Sequence, residues 1–223
     1  KYLLDNEKKF EKYFFLSLGI TLLLLSIYTF LQISILKNAV DPNRISGLFG
    51  EELVQGSYVI RTLPIFLGLL YMTDIIKNKN KLLFISIFIG TFLIIFSGER
   101  ASVACFGILL FFTIIFFPLN LNKKIIFTIT ISIFIIFLIT FFDSVWNRII
   151  KSTMKNMFVN EKIMVFSYGH QSHYLSALKM IKNNFIIGIG PRNFRVECKK
   201  KDYEYIGIYK CSTHPHNTYL EIF

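Results

Sequence analysis

Five long apolar runs, at 14–36, 58–76, 82–97, 101–117 and 125–142, are interrupted only by short charged or turn-forming segments. At about 1.5 Å per helical residue, runs of about 16 to 23 residues extend about 24 to 35 Å, which brackets a hydrocarbon core of about 30 Å. Each run therefore reads as a transmembrane helix. The third and fourth are separated by Gly98, Glu99 and Arg100 alone, and a single helix through both would reach about 54 Å, too long for one crossing. Two shorter helices meeting in a tight hairpin at Gly98 resolve this, and they keep Glu99 and Arg100 away from the bilayer centre. Composition agrees, since hydrophobic residues make up 53% of the 223 positions, more than a soluble domain usually carries.

The fold expected is an all-α polytopic membrane protein, with about five transmembrane helices in 1–142 and a polar loop region in 143–217. Residues 218–223 read as the start of a further apolar helix. Residue 1 is Lys rather than Met and no signal peptide precedes the first run, so a piece of a longer chain is expected. Within the loop region, 143–182 mixes aromatic and basic residues, Trp146 and Arg148 among them, in the manner of short amphipathic helices at an interface.

Lysines fall before the first run (Lys8, Lys9, Lys12), between the second and third (Lys77, Lys79, Lys81) and between the fourth and fifth (Lys123, Lys124). These loops alternate, so they share one side, which the positive-inside rule makes cytoplasmic. The opposite side then carries 37–57, the Gly-Glu-Arg turn and everything after 142. The net charge of +11 is spread over loops on both sides, which excludes a nucleic-acid-binding face and leaves membrane lipids or a phosphorylated lipid as the counter-charge.

Of the three cysteines, Cys105 lies inside an apolar run, where a thiol packs as a small hydrophobe. Cys198 and Cys211 fall on the side where disulfides persist, and a bond closing so short a loop is worth about 3 kcal/mol. Two unpaired thiols are the alternative. Arg44, Arg61 and Arg100 all reach the non-cytoplasmic face, where planar forks suit phosphate oxygens and could hold a diphosphate without a metal ion. Each also has a plainer reading: a headgroup contact for Arg44, snorkelling for Arg61, and pairing with the adjacent Glu99 for Arg100. His214 and His216 flank Pro215 and could move a proton near neutral pH. A metal site is the rival, weakened by the lack of a nearby third ligand.

Four blocks, in order, resemble the O-antigen ligase and O-antigen polymerase family of bacterial envelopes. They are Arg44-Ile-Ser-Gly-Leu-Phe-Gly-Glu-Glu-Leu-Val-Gln-Gly-Ser-Tyr58, Ser97-Gly-Glu-Arg-Ala-Ser102, Gly188-Ile-Gly-Pro-Arg-Asn-Phe194 and His214-Pro-His-Asn-Thr-Tyr-Leu-Glu221. The resemblance implies a multi-helix membrane glycosyltransferase that needs no cofactor or metal. It would move a glycan from an undecaprenyl diphosphate carrier to an acceptor sugar hydroxyl at the periplasmic face of the inner membrane. The acceptor would be a carrier-linked repeat, lipid A core or a protein. His216, standing before Asn217, matches the family's catalytic histidine and would be the general base, with His214 and Asn217 in support. Arg100 would stabilise charge on the leaving diphosphate, with Arg44, or less readily Arg61, as a second phosphate ligand. Glu99 departs from the small or neutral residue of many relatives and would help only by orienting Arg100. The wording of the hairpin and histidine blocks favours polymerase over ligase. A polysaccharide exporter or flippase is the alternative from another class, and would tolerate the loss of His216.

Overall fold

Helices as apolar as these have no stable place in water, and five of them build the chain's first unit. In the computed structural model, residues 2–36, 41, 43–73, 76–159, 162–163, 168–185, 188–190, 192–206, 208–215 and 220 are described. Helix α1 (Tyr2–Leu31) runs on into a π-helical turn at Gln32–Leu36 and is followed by α2 (Gln55–Met72), α3 (Lys79–Ser97), α4 (Arg100–Phe116) and α5 (Leu121–Phe141). The predicted runs thus all appear as helices. Three of these segments, Lys9–Ile35, Lys79–Ser97 and Leu121–Phe141, are long and apolar enough to cross a membrane, whereas Arg100–Phe116 is apolar but shorter.

Helix α3 is central, with 56% of its most apolar window buried, against 28% for α1 and 17% for α5. The outer helices keep apolar side chains on both faces: Ile129, Ile133, Ile136 and Phe141 of α5 are all exposed. A helix apolar all round faces lipid or protein on every side, and so wide an exposed apolar surface belongs in a bilayer. The protein is a membrane protein.

Aromatic pairs set the register between helices. Phe15 of α1 stacks on Phe66 of α2 at 4.7 Å, and Gly19 leaves the room, since a Cβ there would lie 3.2 Å from the Phe66 ring. Phe84 and Phe88 of α3 meet Phe127 and Phe134 of α5, each pair at 5.0 Å. A buried polar chain also ties the bundle. Thr29 Oγ1 donates to Gln55 Oε1, Gln55 Nε2 donates to the Leu93 carbonyl, and the Gly47 amide donates to Gln32 Oε1. In hydrocarbon such bonds have no water to compete with, so they join α1, the 41–54 loop, α2 and α3 at one end.

The compact units are Lys1–Lys151 and Ser152–Phe223. The first extends past residue 142 because α6 (Asp143–Val145) and the π-helical turn Trp146–Lys151 pack back on the bundle, Val145 being buried with Ile95, Phe96 and Leu138. The second unit holds α7 (Ser152–Met157), a two-residue antiparallel pair of β1 (Phe158–Val159) and β2 (Lys162–Ile163), α8 (Tyr168–Asn183) and α9 (Phe194–Glu197). Two 3₁₀ turns, Lys201–Ile206 and Ile208–Lys210, follow. That strand pair is a small exception to the all-α expectation. The core of this unit is Ala177, Met180, Phe194, Cys198, Tyr203 and Ile206.

Cys198 and Cys211 are joined by a disulfide, with Cα atoms 5.3 Å apart, and Cys105 is free. Maleimide applied to the denatured, unreduced protein is expected to label Cys105 alone, with the other two cysteines reacting only after reduction. Labelling of all three without reductant would show that the bond is absent.

Candidate functional site

The turn between α3 and α4 is where three of the sequence-predicted residues, Arg44, Glu99 and Arg100, meet. Gly98 stops α3 in the left-handed conformation, at φ 63°, with its amide on the Ile95 carbonyl. Only glycine takes this conformation without penalty, and the chain reverses within two residues. Glu99 then stands at the start of α4. Its carboxylate accepts hydrogen bonds from the Ser57 amide and hydroxyl, in the first turn of α2, and from the Ser102 hydroxyl of α4 at 2.9 Å. A carboxylate at helix N-termini satisfies orphan amides and complements both dipoles. Gly56 permits this approach: a Cβ there would lie 2.5 Å from Ser97 Oγ and 2.6 Å from Glu99 Oε2.

Three arginines gather around the same turn. Arg44 donates from Nε to the Ser97 carbonyl at 3.3 Å and from Nη2 to the Leu53 carbonyl at 2.9 Å. Its loop is docked by the Ile45 amide on the Phe96 carbonyl and pinched by the Asn43 amide on Asp41 Oδ1. Arg148, from the π-helical turn after α6, donates from Nε to the Gly98 carbonyl at 3.1 Å. Arg100 opens α4 and feels the charges of both Arg148 and Arg44. It makes no hydrogen bond or ion pair among the described residues, so its donor fork is uncommitted. Partial burial, and then the nearby Arg148, push the Arg44 pKa below its usual value, against the opposing pull of Glu99 and Asp41. Guanidinium groups nevertheless stay charged at neutral pH.

Arg61 is placed apart, on the exposed side of α2. The pairing of Arg100 with Glu99, one of the readings open at the sequence level, is not what the described contacts show, because the Glu99 oxygens face the serines. Arg148 is the functional candidate that sequence reasoning left among the amphipathic helices. Loop parity could have found it: Arg148 follows the fifth run, so it emerges at the same end of the bundle as Arg44 and Arg100.

In the second unit, His214 Nδ1 lies 2.9 Å from Thr213 Oγ1, three residues past the disulfide. His173 of α8 has its pKa lowered, first by burial and then by the charge of His170, with a backbone bond at Cys211 opposing. It therefore favours the neutral ring. Among the described residues no three His, Cys, Asp or Glu side chains group as metal ligands. His216 and Asn217 lie outside the described residues.

The family model described as O-antigen ligase matches residues 85–223, more than half of the chain. No curated protein and no solved structure matches. The chain belongs to the O-antigen ligase family, which points to a glycosyltransferase-type enzyme of polysaccharide assembly at a membrane. Glu99, Arg100, Arg148, His214 and His216 fall inside the matched stretch, whereas Arg44 and Arg61 precede it.

Gly98→Ala places a Cβ 2.9 Å from both Arg44 Cγ and the Asn43 carbonyl oxygen, and 3.0 Å from Arg148 Cγ, at a left-handed position. A destabilisation of about 1 kcal/mol or more is expected from the backbone alone. Displacement of both arginines should lower glycan transfer at least about tenfold. A variant with wild-type detergent melting and wild-type transfer would show that the turn does not set the arginines.

Proposed function

We propose that the protein transfers a glycan from an undecaprenyl diphosphate carrier to a sugar hydroxyl, without a metal ion, at the periplasmic face of a bacterial inner membrane crossed by all five helices. The observation that carries this reading is the convergence of Arg44, Arg100 and Arg148 on the Gly98 turn, two of them oriented by backbone carbonyls and the third uncommitted. Two cationic forks oriented in advance and a third left uncommitted suit the oxygens of a diphosphate and the charge that grows on it as the glycosidic bond breaks.

In the transfer step, the acceptor hydroxyl oxygen attacks the anomeric carbon while the bond from that carbon to the diphosphate oxygen breaks. The electron pair leaves with the undecaprenyl diphosphate, whose charge the arginines neutralise. The hydroxyl proton passes to His216. General-base assistance of this kind contributes about 10²–10⁴-fold. Glu99 acts on Arg44 only through space, since among the described residues its oxygens are bonded by Ser57 and Ser102 and not by an arginine. Within this class we favour a polymerase, acting on a carrier-linked repeat, on the wording of the Gly-Glu-Arg turn and the Cys-Ser-Thr-His-Pro-His-Asn segment.

The test is glycan chain length in cells that lack their own polymerase and ligase, complemented with full-length protein carrying or lacking His216. A ladder of long carrier-linked chains, lost in His216→Ala, is the expected result. Single repeats moved onto lipid A core or protein would make it a ligase, and no His216-dependent transfer at all would favour an exporter. Arg100→Lys and Arg148→Lys are each expected to reduce transfer at least about tenfold, because a point charge does not replace a planar fork. Near-normal activity in both would count against the diphosphate clamp.

A further inference from the structure

The second unit contains a concave pocket that the diphosphate reading does not use. Its floor is apolar, formed by Met180, Ile181, Ile189 and Phe194, and its mouth is polar, with Arg192 and His214. The enclosed space is small, about 20 Å³, room for one methyl-sized group of a ligand whose remainder lies in the open mouth. Pro215 is also in the wall and is buried, and it precedes His216 in the sequence. Arg192 itself is held at φ 63°, a left-handed conformation that a non-glycine residue adopts only against a penalty. Strain kept at a pocket mouth is a feature that function can require.

The lining restricts the ligand. No acidic residue contributes to it, which disfavours a cation. A prenyl chain is too long for this space and would gain nothing from an arginine and a histidine. A plain hexose would turn hydroxyls toward Met180, Ile181 and Ile189 and leave them without partners. A sugar bearing an acetamido group suits both surfaces: its methyl packs on the apolar floor, and its carbonyl oxygen accepts from the Arg192 fork at the mouth.

We infer that this pocket, whose lining includes the residue that precedes His216 in the sequence, binds an N-acetylated sugar of the acceptor. The inference rests on the reading of His216 as general base only for the word acceptor; binding itself can be observed without transfer.

The experiment uses full-length protein in nanodiscs and saturation-transfer NMR with the methyl glycosides of N-acetylglucosamine and N-acetylgalactosamine, against methyl glucoside and methyl galactoside. At least one N-acetyl glycoside is expected to bind, with saturation concentrated on its acetyl methyl, while the plain glycosides give no signal. Arg192→Gly suits the left-handed backbone, so the variant should melt at the wild-type temperature or higher while binding about tenfold more weakly, the loss expected for one charge-assisted hydrogen bond. Ile181→Trp, which fills the floor, should weaken binding similarly. Equal signals from all four glycosides, or wild-type binding in both variants, would overturn the pocket assignment. His216→Ala should still bind the glycoside while losing transfer. If that variant transfers normally, the base assignment fails while the sugar pocket stands.

Discussion

The Glu99 carboxylate and the first turns of α2 and α4 form the contact on which the cationic end of the bundle depends. An anion close to apolar helices is costly unless it is bonded on all sides. Here the Ser57 amide and hydroxyl and the Ser102 hydroxyl supply the bonds. Because those donors sit at helix starts, the negative charge is met by their hydrogen bonds and two helix dipoles, and Arg44 feels it through space. Gly56 and Gly98 serve this one contact, the first by having no side chain and the second by taking the left-handed turn.

With Glu99 committed, the arginines remain available to a ligand. Arg44 and Arg148 are oriented by carbonyls of the α3 end, Ser97 and Gly98, that helix geometry leaves without internal partners. One turn therefore does two jobs: its acid, Glu99, receives the amide and hydroxyl of Ser57, and its carbonyls receive Arg44 and Arg148. Three guanidiniums that weigh on one another electrostatically are uphill without an anion, and a bound diphosphate would relieve that repulsion. On the proposed reading, the same clustering would count as preorganisation, since the donors need not be gathered around a diphosphate.

The second unit is held differently. Its buried core is small, and it is reinforced by the Cys198–Cys211 bond. Lys179 adds a hydrogen bond to the Asp202 carbonyl, and its ammonium lies 4.4 Å from the centre of the Tyr205 ring. These contacts tie α8 to the 3₁₀ turns and fix the chain immediately before Ser212, Thr213 and His214. Partial burial, and then the charge of His170, lower the pKa of His173 beside this segment.

The sequence by itself determined the helices and their order, because the length of an apolar run and the sign of the loops around it are local properties that a bilayer reads directly. It also marked the Gly98 reversal, since 36 residues of near-continuous apolar sequence cannot cross once. Arg44 and Arg100 were legible as candidates from loop parity and from resemblance. The partners of Glu99 were not, because Ser57 lies 42 residues away and its neighbourhood exists only once α2 packs on the α3–α4 turn. Arg148 was hidden for the same reason: after Phe142 the chain turns polar, and only packing of Val145 on Ile95 and Phe96 returns that segment to the bundle. Tertiary structure alone decided which charges meet, since electrostatic contacts depend on distance in space, and sequence fixes that distance only within a helix turn or two.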